Sequence, residues 1–193
     1  MLLHAARPAR LRTVAPTPLG PADLADLTRS IAAQVRTGAH EVVLDPDRRW
    51  YRRLHADPFV DVWLISGVAE QATELHDHAG SLGALTVVSG ELQEQRWVPA
   101  DPMIGRGAAA TRGAGGGRVG VGSVTALKTR RLRAGRGATF KLGHVHDVVN
   151  VRAEHAVSVH AYSPPLTAMS YYAVDDSGAL RRTRSVLTDG GSA

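Results

Sequence analysis

From Val60 to Val174 the apolar and polar residues alternate with a period close to two, in short runs broken by Gly, Pro, Asn, Asp or Ser. A strand turns successive side chains to opposite faces, so this pattern predicts many short, half-buried strands. The expected strands cover 60–66, 73–78, 83–88, 91–98, 124–132, 138–142, 147–151, 156–163 and 169–174, with Ser89-Gly90 as a tight hairpin turn. One helix precedes them. Asp23 is expected to cap residues 24–37, where Leu24, Leu27, Ile31, Ala32 and Val35 recur at helical spacing and Gly38 supplies the stop. Many strands after a single helix imply an all-β sandwich or barrel.

The 193 residues are expected to form one domain spanning 1–193, with an N-terminal helical segment over 1–40 and a β-barrel body over 50–175. Residues 100–123 are rich in glycine and alanine, present no apolar face and read as a loop. No apolar run approaches the ~18 residues of a membrane span, and the apolar part of the N-terminus is shorter than the ~7 to 15 residues of a secretory signal. A cytoplasmic chain with no membrane partner is the expectation. Cysteine is absent, which leaves only nitrogen and oxygen to hold any metal. The net charge is +5, with a basic run at Arg130, Arg131, Arg133 and Arg136. Few aromatics and no binding motif accompany it, so it reads as a solvated surface with no nucleic-acid partner.

Two clusters carry chemistry. His76 and His78 share a face in a strand and can share one ion, whereas a helix would separate them by about 200°. Ser158, His160 and Tyr162, at i, i+2 and i+4, also share a strand face. Asp77 points away from its histidine neighbours and is not read as a ligand.

The spacings His76-x-His78 with Gly90, and Gly143-x-x-His146-x-x-x-Asn150, resemble the two motifs of the cupin superfamily of small metal-holding β-barrels. The run Ser158-Val159-His160-Ala161-Tyr162-Ser163-Pro164-Pro165, with Ser81, is similar to the cysteine dioxygenase family of thiol dioxygenases within it. The resemblance implies a cupin β-barrel whose iron(II) is held by His76, His78 and His146. His144, one strand step from His146, competes for the third place, and the Asn150 spacing favours His146. It also implies conversion of L-cysteine and O2 to cysteine sulfinic acid in cysteine catabolism, by a monomer or weak homo-oligomer. Ser158, His160 and Tyr162 would form a relay in which Tyr162 orients substrate or oxygen, and Arg53 would bind the substrate carboxylate, with Arg52 as its neighbouring rival.

Many cupins carry a glutamate ligand where this chain has Gly83, so three neutral imidazoles would leave the metal its full double charge. Some members place there a cysteine cross-linked to the tyrosine, which Gly83 excludes. A 3-mercaptopropionate dioxygenase is the nearest alternative, although that relative has glutamine at the Arg53 position. A non-catalytic metal-binding sensor is another, and three histidines also suit zinc.

Overall fold

The computed structural model describes residues 17–69, 73–98, 127–176 and 178–188. Among these described residues one helix, α1 (Pro21–Arg36), is followed by eleven strands: β1 (Trp50–Ala56), β2 (Asp61–Gly67), β3 (His76–Asp77), β4 (Leu82–Ser89), β5 (Glu91–Trp97), β6 (Leu127–Arg133), β7 (Gly137–Phe140), β8 (His146–Asn150), β9 (Ala156–Ser163), β10 (Ala168–Val174) and β11 (Leu180–Leu187). They form two antiparallel sheets, in the orders β1-β2-β9-β4-β7 and β11-β10-β3-β8-β5-β6. The expected all-β cupin architecture is therefore present as two facing sheets, and among the described residues they do not close into one continuous barrel. The stretch 100–123, and the start of the expected strand 124–132, lie outside the described residues.

The helix begins earlier than its sequence signals suggest. Pro21 occupies the first turn, where its missing N–H costs nothing, and Asp23 accepts the Gly20 N–H at 3.2 Å from inside the helix. Gly38, at φ 79°, ends it as expected. Leu24, Ile31, Ala32 and Val35 bury against Val62, Leu64, Ala84, Val88, Val159 and Ala161 on the outer face of the five-stranded sheet. Each fully buried Leu or Ile contributes about 1.5–3 kcal/mol.

Between the sheets lies a second apolar cluster, with Leu85, Val87, Phe140 and Ala156 from one sheet meeting Leu92, Leu132 and Val148 from the other. Strand β9, paired on both edges, is buried along its whole length. Its alternation sends Val157, Val159 and Ala161 toward α1, and Ser158, His160 and Tyr162 into the space between the sheets.

Two strands escaped the periodicity. β1 and β11 are edge strands with no fully buried side chain, rich in arginine, which is how sheet edges are kept from pairing further. Conversely, the expected strand 73–78 shrinks to His76–Asp77, because Glu74 adopts φ 60° and breaks the extended run. Among the described residues no helix is long and apolar enough to cross a membrane.

Candidate metal centre

His76 on β3 and His146 at the start of β8 face each other as ladder partners, and His78 follows one turn of the pleat after His76. All three are buried, their ring centroids lie 4.9–5.1 Å apart, and one nitrogen from each lies within 4.8 Å of the others. Hydrogen bonds fix which nitrogen faces inward. His76 Nδ1 donates to the Glu74 carbonyl at 2.8 Å, and His146 Nδ1 donates to Glu94 Oε1 at 2.9 Å. Carbonyl and carboxylate oxygens only accept, so both rings keep their Nε2 lone pairs. The Nε2 atoms of His78 and His146 are buried without a partner, an arrangement costly unless a ligand completes it. Three convergent neutral imidazoles fit a divalent metal ion.

Burial, reinforced by the charge of His146, pushes His76 down to about 4. His78 falls well below its ordinary value through burial and then the two neighbouring imidazoles, and His146 falls through burial against the opposing pull of Glu94. The triad is thus neutral near pH 7 and needs to lose no proton to bind a metal. Asp77 lies outside it: its carboxylate accepts from Tyr172 Oη at 2.6 Å and from the Ala79 N–H at 3.0 Å, shaping the turn after His78.

The triad opens onto a cavity of about 750 Å³. On one wall Ser158 Oγ lies 2.9 Å from His160 Nε2, and His160 Nδ1 lies 3.4 Å from Tyr162 Oη. The Tyr162 ring stands 4.8 Å from that of His78. Burial pushes the Tyr162 phenol above its ordinary value, so it keeps its proton, and burial together with the Arg49 charge keeps His160 neutral. Gly83 is the ladder partner of Tyr162, and a Cβ there would meet Phe140 at 2.9 Å and the Tyr162 ring at 3.1 Å. No side chain, ligand or otherwise, fits between these rings without displacing one.

Two arginines line the cavity: Arg184, which is paired with Glu74 at 2.9 Å, and Arg49, beside Tyr51 and near His160 and Tyr162. Among the described residues no acid pairs with the Arg49 guanidinium, which burial makes less basic than usual. Arg53 lies elsewhere: its guanidinium stacks 5.5 Å from the centre of the Trp63 ring, and Trp63 is the one that reaches the cavity. Arg52 turns to the other side of β1, 3.9 Å from Glu41. Asp61, buried beneath this wall, accepts from Trp63 Nε1 at 2.9 Å and from the Leu166 N–H at 3.3 Å, holding two wall residues in place.

The family described as cysteine dioxygenase type I matches residues 22–175. The chain belongs to that family. Membership points to thiol dioxygenase chemistry of the cupin type, and the matched span contains Arg49, His76, His78, His146, His160 and Tyr162. Solved structures with some likeness to this cysteine dioxygenase type I member include a Thermus thermophilus protein, TT1209, at 16% identity and TM-score 0.46, covering 64% of this chain and 90% of that one. A Klebsiella pneumoniae protein with a double-stranded beta-helix domain stands at 20% and 0.44, covering 64% and 78%, and the cupin domain of Schizosaccharomyces pombe Cnp3 at 9% and 0.44, covering 64% of each. No match was found among curated proteins.

Sequence reasoning about this family member missed Glu94. Its carboxylate is 0% exposed and takes His146 and His144 on Oε1, at 2.9 and 3.0 Å, and Arg130 on Oε2. Burial favours its protonation, yet the hydrogen bonds from His144, His146 and Arg130 outweigh that and hold the carboxyl far below the usual range. The signal was present: Glu94 is in phase with Leu92, an acid on the buried face of a strand. The basic run, read as solvated surface, is partly committed to acids of β5, with Arg130 on Glu94 and Arg131 and Arg133 on Glu91.

Proposed function

We propose that this chain is a mononuclear iron(II) thiol dioxygenase that converts L-cysteine and O2 to cysteine sulfinic acid. The observation that carries this reading is a triad of neutral imidazoles, two with orphaned Nε2 atoms, opening onto the cavity that Arg49 lines. His76, His78 and His146 would hold the iron, which supplies the redox chemistry by which both oxygen atoms of O2 reach the thiol sulfur. Three protein nitrogens, with no anionic ligand among them, would leave the metal able to take substrate and O2 as further ligands.

The rest is positioning by the protein. The Arg49 guanidinium, lacking an acid partner among the described residues, is suited to a bidentate grip on the substrate carboxylate. Arg49, and not the Arg53 that the family resemblance implies, fills this role. With the Ser158 hydroxyl donating to His160 Nε2, His160 Nδ1 carries the proton and donates to Tyr162 Oη. The phenol proton is then free to point into the cavity, toward the carboxylate or the reacting oxygen. The walls formed by Trp63, Ile65 and Tyr162 limit the water that reaches the sulfur.

The test is oxygen uptake by protein reconstituted with iron(II), using L-cysteine and 3-mercaptopropionate in parallel. Cysteine is expected to be the faster substrate, with one sulfinate formed per O2 consumed. Faster turnover of the amine-free thiol would replace cysteine as the substrate. Iron-loaded protein that consumes no oxygen with either thiol would leave only a metal-binding role.

A further inference from the structure

The ligand set has no anion of its own, yet a fully buried carboxylate sits directly behind one of its members. Glu94 Oε1 takes the Nδ1 proton of His146 at 2.9 Å and also holds His144 at 3.0 Å, while Oε2 is seated on Arg130. Both oxygens are occupied, so the carboxylate has one fixed position. Arg130 comes from β6, the neighbour of β5 at the sheet edge, and is 44% exposed, so the line from the metal ligand to solvent is only two residues long. Neither Glu94 nor Arg130 borders the cavity.

We propose that Glu94 is a positioning residue that restores, one hydrogen bond away from the metal, the negative charge missing at Gly83, and that Arg130 sets how much of that charge His146 receives. The inference rests on the iron reading above. An imidazole that donates Nδ1–H to a carboxylate is a stronger donor at Nε2 and is locked in one tautomer and ring orientation; losing such a partner typically costs about 10- to 100-fold in metal affinity. Placing the anion outside the ligand set leaves open the coordination position that a direct carboxylate ligand would occupy. Arg130 competes with His146 for the same carboxylate charge, so these two of its partners pull in opposite directions.

Opposite signs give the test. In the iron-loaded protein, Glu94→Gln is expected to weaken iron(II) binding about 10- to 100-fold in a chelator competition and to shift the iron(III)/iron(II) potential upward. Arg130→Met removes the competing cation, leaves the carboxylate to His146 and is expected to shift the potential downward. A merely structural cluster would lose a contact in either variant and move both the same way, so shifts of one sign, or none, overturn the proposal. If Glu94→Gln does not fold, the direction seen with Arg130→Met decides alone: downward supports, upward or unchanged overturns. Wild-type protein that takes up no iron defeats the functional reading and this inference with it, whereas wild-type iron with unshifted variants defeats only the role of Glu94.

Discussion

The two faces of β9 differ as sharply as any two regions of this molecule. Val157, Val159 and Ala161 meet α1 through a dry apolar layer, while Ser158, His160 and Tyr162, interleaved with them, are equally buried and polar. Both faces exclude water, but only the apolar one gains free energy simply by doing so. The polar face remains tolerable because its groups bond to one another. One strand therefore divides the work, with stability on one side and chemistry on the other.

That division can be broken from either side. The largest effect is expected from His146→Ala, which should abolish iron retention and thiol-dependent oxygen uptake while the far-UV circular dichroism stays that of a folded β protein. On the opposite face, Leu64→Ala should destabilise by about 2–5 kcal/mol in urea unfolding. Its iron content and KM should stay near wild type at temperatures where it remains folded. Arg49→Gln removes a charge-assisted contact worth roughly 1.5–3 kcal/mol, so kcat/KM for cysteine should fall about 10- to 100-fold, mainly through KM. Arg53→Gln should change it by less than about threefold, and the reverse ranking would return the carboxylate to Arg53. Tyr162→Phe should lower turnover by about tenfold with iron content nearly intact, since it deletes one hydrogen bond and no ligand.

The smallest expected effect is a pH dependence of the metal-free protein. His76 is held at about 4 in the fold against an ordinary 6.5, so the unfolded chain binds more protons between those values. The stability this neutral imidazole allows is fully present above about 6.5 and is lost as pH falls toward 4. His76→Gln should flatten part of that slope in thermal melts, leaving the similar contributions of His78 and His146.

The interior strands were legible because burial writes a period of two into them: the expected 156–163 matches β9, and the tight turn at Gly90, with φ 75°, lies at Ser89-Gly90, although it is no hairpin, since it carries the chain from β4 in one sheet to β5 in the other. β1 and β11 were not, because an edge strand with no fully buried side chain has no apolar face to announce it. The grouping of His76, His78 and His146 followed from spacing and resemblance. Choosing among the arginines did not, since Arg49, Tyr51 and Arg53 alternate onto one face. What separates them is depth along β1: Tyr51 pairs with Ile65 and Arg53 with Trp63, whose ring occupies the wall at that level. Glu94 stayed hidden because its three partners come from β6, β8 and the loop before β8, which only the sheet order brings together.

The short strand β3 has a consequence for the order of events in folding. It is two residues long, and its ladder with β8 is the single pair His76 and His146, which lie far apart in the chain. So small a local element has little to hold it before both flanking strands have docked, and this corner of the sheet is expected to form late. An ion bound by both histidines would act there as a cross-link made after the main folding barrier. Loading the metal should then slow unfolding far more than it speeds refolding.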